Sequence, residues 1–438
     1  MAKAFLYNGN VQTKLIEAVN DVTNLSTEFR LEPNQMYISG LRLANVGLYG
    51  VAVKYNRVVG AYGAIQKIVL SDGGKQLDAI DNFPLWMAFK AYNKSNKTNL
   101  DLDSVLSCSD MGNYIIENDA SSGKIVPWNP VERKMNAEEA DTAKGWLDLN
   151  CLPFLENMKF IDTSLFKNLT LTIYYNSNYD QMIDNTTAVT TKSTRPFMIA
   201  DVILSDPNNS IPKYKGHSYD SVENDVVNIP KPATMPTSVS ILQKKSEKVN
   251  GFNNKTIKRM MIMKVPLDSV VYKDATSKAN TRTGSLCSVT NVNEKLQVYV
   301  DGKALFPQGV DGLTKPNQRL KYLHDSWGEC STFPFLNDLA YATDAQATPR
   351  DSVPDGNKMI SMMDVYGFDV YKTPISEITL DFSRDNIFVE ATGGTGTGDS
   401  GVLTENCISN IAQNMYIFAE VPRDIVLDGK GSYNVVYA

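Results

Sequence analysis

The stretch 392–401, TGGTGTGDSG, carries two patterns that could do chemistry. Gly396, Gly398 and Gly401 have the G-x-G-x-x-G spacing by which a dinucleotide-binding turn brings backbone N–H groups close to a pyrophosphate. The tetrapeptide G-D-S-G around Ser400 is also a setting for a serine nucleophile, which needs a histidine base oriented by an acid. Neither pattern finds its partners. An acid placed for the ribose hydroxyl exists at Glu420, but residues 421–438 read as a single hairpin, too little for further βαβ units. His217 in YKGHSYD and His324 in KYLHDSWGE are the only histidines, and neither has the sequence context of a protease base. The loop therefore reads as a glycine-rich connection between strands.

Other candidates lead to the same place. His217 reads as a residue of a polar loop and His324 as a surface histidine, too far apart in sequence to suggest a shared metal or a general base with a partner. Cys108, Cys151, Cys287, Cys330 and Cys407 are odd in number, widely spaced and without C-x-x-C, as expected of reduced thiols in a chain folded in cytosol. Glu138 with Glu139, and Asp180 with Asp184, read as solvated faces. The run 244–259, KKSEKVNGFNNKTIKR, could touch phosphate but fits a strand edge on which lysine discourages aggregation. No catalytic, cofactor-binding or metal-binding residue is assigned, and no small-molecule substrate is expected.

The totals favour a structural protein. The chain has 438 residues, 42% of them hydrophobic, enough for more than one core. Its formal net charge of -6 counts against coating nucleic acid through phosphate neutralisation. The first residues lack a signal-peptide pattern, and no apolar run is long enough to span a bilayer.

Val11, Leu15, Val19 and Val22 fall at helical spacing, so residues 1–28 are expected to form an arm with a short helix. That helix would pack either on a neighbouring molecule, making these four residues assembly contacts, or on the chain's own core. From there short β-branched and aromatic runs dominate, among them MYISGLRL, YGAIQKIVL, KNLTLTIYYN and PFMIADVILS, with a short helix or a long packed loop expected at 81–93 and a helix at 135–146. Asp72-Gly73-Gly74 predicts a tight hairpin. Residues 206–238 hold Pro207, Pro212, Pro230, Pro232 and Pro236 and read as an extended linker, after which strands resume.

The halves echo each other. IVLSDGGKQL (68–77) matches VYVDGKAL (298–305), and CLPFLEN (151–157) matches TFPFLND (332–338). LTLTIYY (169–175) matches EITLDFS (377–383), and FMIADV (197–202) matches YIFAEV (416–421), all in the same order. Two consecutive β domains of one plan are expected, 29–205 and 239–438, each closing two sheets over a core.

With this plan, the wording of 145–176, GWLDLNCLPFLENMKFIDTSLFKNLTLTIYYN, and of RPFMIADVILSDP (195–207) and the closing 415–438, resembles the double jelly-roll major capsid proteins of icosahedral viruses, the lineage of adenoviruses, virophages and tailless membrane-containing bacteriophages. The resemblance implies a mainly β chain of two tandem eight-stranded antiparallel jelly rolls with short helices and a helical N-terminal arm. It implies a homotrimeric, pseudo-hexameric capsomer that tiles a virion shell assembled in host cytoplasm. Its partners would be itself, neighbouring capsomers, penton or minor capsid proteins and an internal membrane. A β-sandwich binding protein of carbohydrate-binding or adhesin type is the alternative, and a jelly-roll glycosidase would need two carboxylates facing across a groove.

Overall fold

The computed structural model describes residues 11–19, 26–38, 40–46, 48–49, 61–94, 106–107, 115–119, 124–128, 145–149, 152–157, 160–175, 192–193, 196–204, 216–229, 242–266, 294–311, 316–328, 364–372, 374–385, 413–427 and 433–437. The glycine loop 392–401, Val22 and the segment TFPFLND lie outside them, as does most of the helix expected at 135–146.

The first half runs β1 (Val11–Ile16), β2 (Ser26–Arg30), β3 (Met36–Ile38), β4 (Arg42–Val46) and β5 (Leu48–Tyr49). Then come β6 (Ile65–Asp72), β7 (Lys75–Asp81), helix α1 (Phe83–Lys94), β8 (Ile115–Asp119), β9 (Lys124–Trp128) and β10 (Gly145–Asp148). A short helix α2 (Pro153–Asn157), β11 (Phe160–Asp162), β12 (Leu169–Tyr175), β13 (Lys192–Ser193) and β14 (Phe197–Ile203) complete it. The second half contributes β15 (Gly216–Ile229), β16 (Leu242–Val249), β17 (Ile257–Pro266), β18 (Glu294–Val300), β19 (Lys303–Ala304) and β20 (Val310–Asp311). Helix α3 (Pro316–Trp327), β21 (Asp364–Lys372), β22 (Ile378–Asp385), β23 (Gln413–Leu427) and β24 (Tyr433–Tyr437) follow.

Pairing turns this list into one plan used twice. In the first half, β14 pairs β1 along one edge and both β3 and β4 along the other, and β11 and β10 continue beyond them. Taking β3 with β4, and β10 with β11, as interrupted single strands gives the order β1-β14-β3/β4-β11/β10, facing β2-β12-β6-β7. In the second half the orders are β15-β23-β17-β21 and β16-β22-β18-β19. Strand for strand, the sequential positions agree. Two four-strand sheets close over each core, which is the jelly-roll arrangement.

The residues explain why. Met198, Ala200 and Val202 of β14 face the first core, and Ile417, Ala419 and Val421 of β23 face the second, because successive strand residues face opposite sides. They meet Phe29, Ile68, Leu171 and Ile173 in the first core, and Val298, Ile378 and Leu380 in the second. Gly73 (φ 53°) with Gly74 (φ 96°), and Asp301 (φ 49°) with Gly302 (φ 74°), turn β6 into β7 and β18 into β19 through the left-handed region that two-residue hairpins require. The acid of each turn does a second job. Asp72 accepts from the Asn168 N–H ahead of β12, and Asp301 from the Ser376 and Glu377 N–H groups ahead of β22.

Two expectations are corrected. Residues 11–16 form no helix: β1 is a strand in register with β14, from Val11 opposite Ile203 to Ile16 opposite Met198. A spacing of four residues is even, so it places Val11 and Leu15 on one face of a strand as readily as on one face of a helix. The Pro-rich stretch likewise contains the 14-residue β15, paired along its length with β23, and His217 sits in this strand rather than in a loop. β1 and β15 are the opening strands of the two rolls.

Helix α3 packs on β21 so closely that a Cβ built on Gly367 would lie 2.5 Å from Leu323 Cδ1 and 2.8 Å from Trp327 Cδ1. Gly367→Ala is expected to cost about 1–3 kcal/mol through overpacking, measured as a lowered urea midpoint with an unchanged slope.

Candidate functional site: the seam between the rolls and the open sheet face

The outward face of the β15-β23-β17-β21 sheet is apolar. Met261, Met263, Val365 and Phe418 belong to one buried cluster with Leu323 and Trp327 of α3, which packs on β21 and β17, and with the first roll's core, whose Trp86 meets Phe418. Trp86 and Phe89 of α1 meet Trp327 of α3 at ring-centroid distances of 5.9 and 5.4 Å, and Trp86 lies 5.9 Å from Phe418. Trp327 donates its indole N–H to the Met260 carbonyl at 3.0 Å, which satisfies its one polar atom in the buried contact. Arg259 stacks over the Trp327 ring at 4.3 Å while its guanidinium forks onto Glu420.

Beside this apolar contact lies a polar one. β15, β23 and β24 run on as a three-stranded ribbon that reaches β7. Asp78 of β7 is fully buried; it accepts from Ser221 Oγ at 2.7 Å and from the Phe154 N–H at 3.0 Å. Burial pushes its carboxyl above the usual carboxylate range, while those hydrogen bonds and the nearby Arg423 pull it back. The Leu77 carbonyl accepts from the Tyr219 hydroxyl and from Arg423 Nη1, and Arg423 Nη2 reaches Glu223 at 2.7 Å. Tyr433 of β24 donates to Asp72 at 2.8 Å, and Lys75 donates to the Tyr433 carbonyl at 2.8 Å. Burial raises the pKa of Tyr219 and of Tyr433, so both phenols stay protonated and keep donating.

His217 is half-buried, stacked on Tyr219 at 6.1 Å and edge-on to Phe154 at 6.2 Å. Burial lowers its pKa. His324 is exposed on α3, its Nδ1 3.6 Å from Asp325 Oδ1. No cluster of three or more metal-ligating side chains occurs among those residues. Four cations of the basic run 244–259 are paired with acids: Lys248 with Glu377, Lys255 with Glu223, Lys258 with Asp220 and Arg259 with Glu420.

The expected contact residues are divided. Val11 packs with Phe160 around the small cluster Met36, Ile38 and Ile203 on the outer side of the first sheet. Leu15 and Val19 point to solvent, 58% and 61% exposed. The seam residues Asp78, Tyr219, Ser221, Arg423 and Tyr433 carried no motif in the sequence. The only signal was the polar alternation of β15, which a linker displays equally well.

Neither a protein-family model nor a curated protein matches the sequence. Solved structures match its fold. A chain of the PBCV-1 virus capsid is similar over 98% of this chain and 96% of its own, at 11% identity and a TM-score of 0.57. A chain of the Sputnik virophage structure covers 98% of this chain and 88% of its own, at 11% identity and a TM-score of 0.58. The mavirus major capsid protein covers 97% and 90%, at 11% identity and a TM-score of 0.52. At such identities the likeness is one of fold, and that fold is the double jelly roll.

Asp78→Ala is expected to leave the Ser221 hydroxyl and the Phe154 N–H without their acceptor, costing about 1–3 kcal/mol for each group in a urea titration. Acidification is expected to weaken the fold through His217. The unfolded chain takes up the imidazole proton first, so stability falls as pH drops below about 6.5 and on through the lowered folded value. His217→Phe, which keeps the aromatic stack, should flatten that limb of the stability curve.

Proposed function

We propose that this chain is a structural virion protein: a major capsid protein whose homotrimer, six jelly rolls in a pseudo-hexagonal ring, tiles an icosahedral shell. The observation that supports it most is the fixed pairing of two like rolls through an aromatic junction and buried hydrogen bonds. A binding or catalytic protein needs a site and not a second copy of its scaffold held rigidly against the first. A shell protein needs flat, repeated, mutually covering surfaces. The solved structures of similar fold include a chain of the PBCV-1 virus capsid and the mavirus major capsid protein, which makes a shell the natural setting for this plan.

Its partners on this proposal are further copies of itself and neighbouring shell proteins, including those at the five-fold positions, with an internal membrane as a further contact. Its location is the capsid, after assembly in host cytoplasm. The proposal is of a structural role without catalysis.

Light scattering coupled to size-exclusion chromatography is expected to give a mass of three chains that persists on dilution to micromolar concentration. A strictly monomeric protein under those conditions would contradict the assembly role, and a monomer that binds a glycan array would favour the carbohydrate-binding alternative.

A further inference from the structure

We infer that the outward face of the first roll's β1-β14-β4-β10 sheet, centred on Leu15, is the docking site for the second roll of another copy of this chain. We infer also that this joint is apolar, without the buried polar clamp that seals the rolls within one chain. The inference rests on the assembly role proposed above and identifies the surface that carries it.

The template is the seam inside the molecule. Register and burial equate β14 with β23, because Met198, Ala200 and Val202 point inward as Ile417, Ala419 and Val421 do. Ile199 therefore holds the place of Phe418. Phe418 is fully buried, with Trp86 of the first roll against it. Ile199 instead stands opposite Leu15 on β1, and Leu15 is 58% exposed. Trp146 of β10, outward on the same sheet because Leu147 is buried inward, is 40% exposed. The same face of the same fold is thus covered in the second roll, by α3 on β21 and by Trp86 of the first roll on Phe418, and open at Leu15 and Trp146 in the first. A second roll set on it in the manner of the internal seam repeats a contact the molecule already makes. Head-to-tail repetition of one contact closes into a ring when its rotation divides the circle. The second roll presents the matching element: Lys303 and Ala304 of its β18–β19 hairpin are exposed, whereas Lys75 of the equivalent β6–β7 hairpin reaches Tyr433 across the seam.

The polar clamp cannot be repeated. Tyr219, Ser221, Arg423 and Tyr433 stand on the part of β15, β23 and β24 that extends past the sheet. β15 and β23 have 14 and 15 residues, whereas β1 and β14 have 6 and 7. The polar groups on β1 are already used locally, Lys14 on Glu32 and Thr13 on Asp201. A ring built this way alternates sealed seams within chains with separable apolar joints between them.

The test compares the wild-type full chain with Leu15→Asp and Leu15→Asn by sedimentation equilibrium, with circular dichroism reporting fold. Both variants are expected to keep the β spectrum and to raise the dissociation constant of the oligomer by about tenfold or more, Asp above Asn. Wild-type association is expected to hold or strengthen from low to molar salt, as an apolar joint does and an ionic one does not. An oligomer unchanged by both substitutions overturns the surface while leaving the assembly role standing, and marked weakening by salt overturns its apolar character. A wild-type monomer removes the assembly role itself. If Leu15→Asp misfolds, Leu15→Asn and the wild-type salt series still decide.

Discussion

An apolar sheet face has to be covered, and the rest of this molecule follows from how that requirement is met. Each jelly roll buries one face of each sheet in its own core, but the β15-β23-β17-β21 sheet is apolar on both sides. Left in water, the outward Met261, Met263 and Phe418 would be a patch fit for association or aggregation. The chain resolves this by laying its own helix α3 on β21 and β17 and bringing α1 of the first roll against it, with Trp86, Phe89 and Trp327 filling the junction. The hydrophobic term draws the two rolls together, but it has no direction. Direction comes from the hydrogen bonds on Asp78, Leu77 and Asp72, each of which is satisfied in one relative placement of the rolls. Area supplies the affinity and the buried polar groups supply the register, because a misplaced roll would strand a carboxylate in an apolar seam.

The first roll's counterpart face shows the same physics with a different outcome. Its small cluster of Met36, Ile38 and Ile203 is already closed over by Val11 and Phe160, while Leu15 and Trp146 remain open. The chain therefore carries one satisfied and one unsatisfied copy of the same surface. In the proposed assembly an asymmetry of this kind sets an order of events: the rolls of one chain join first, at high effective concentration, and copies join afterwards.

The sequence made the repeated plan visible where local geometry and core alternation coincide. The turn at Asp72-Gly73-Gly74 and that at Asp301-Gly302 are legible because positive φ restricts the choice of residue, and LTLTIYY with EITLDFS because each is β12 or β22 in the same position of its sheet. Residues 81–93 were legible only as a short helix or a packed loop, and are α1 at Phe83–Lys94. The opening strands were not. β1 hid behind an even spacing shared by helix and strand. β15 hid because its buried face is polar: Tyr219 and Ser221 look outward from their own roll to hydrogen-bond with the other, so the strand lacks the apolar alternation that marks a core. The seam was illegible for a related reason. Asp78 and Ser221, or Leu77 and Arg423, are distant in sequence and come together only once both rolls exist.

That pattern of success and failure has a physical cause. Residues serving their own roll obey short-range rules, a period of two along a strand and left-handed turn positions between strands, and those rules are written locally. Residues serving the contact between rolls obey the neighbour's geometry, and polar side chains appear there on strands where apolar ones would be expected. Buried polarity on an otherwise regular strand is thus the mark of a surface facing another folded body. By the same rule, exposed apolarity on a regular strand marks a surface whose neighbour lies outside the chain. β15 is the first kind and β1 the second, and they are the same strand of the same fold.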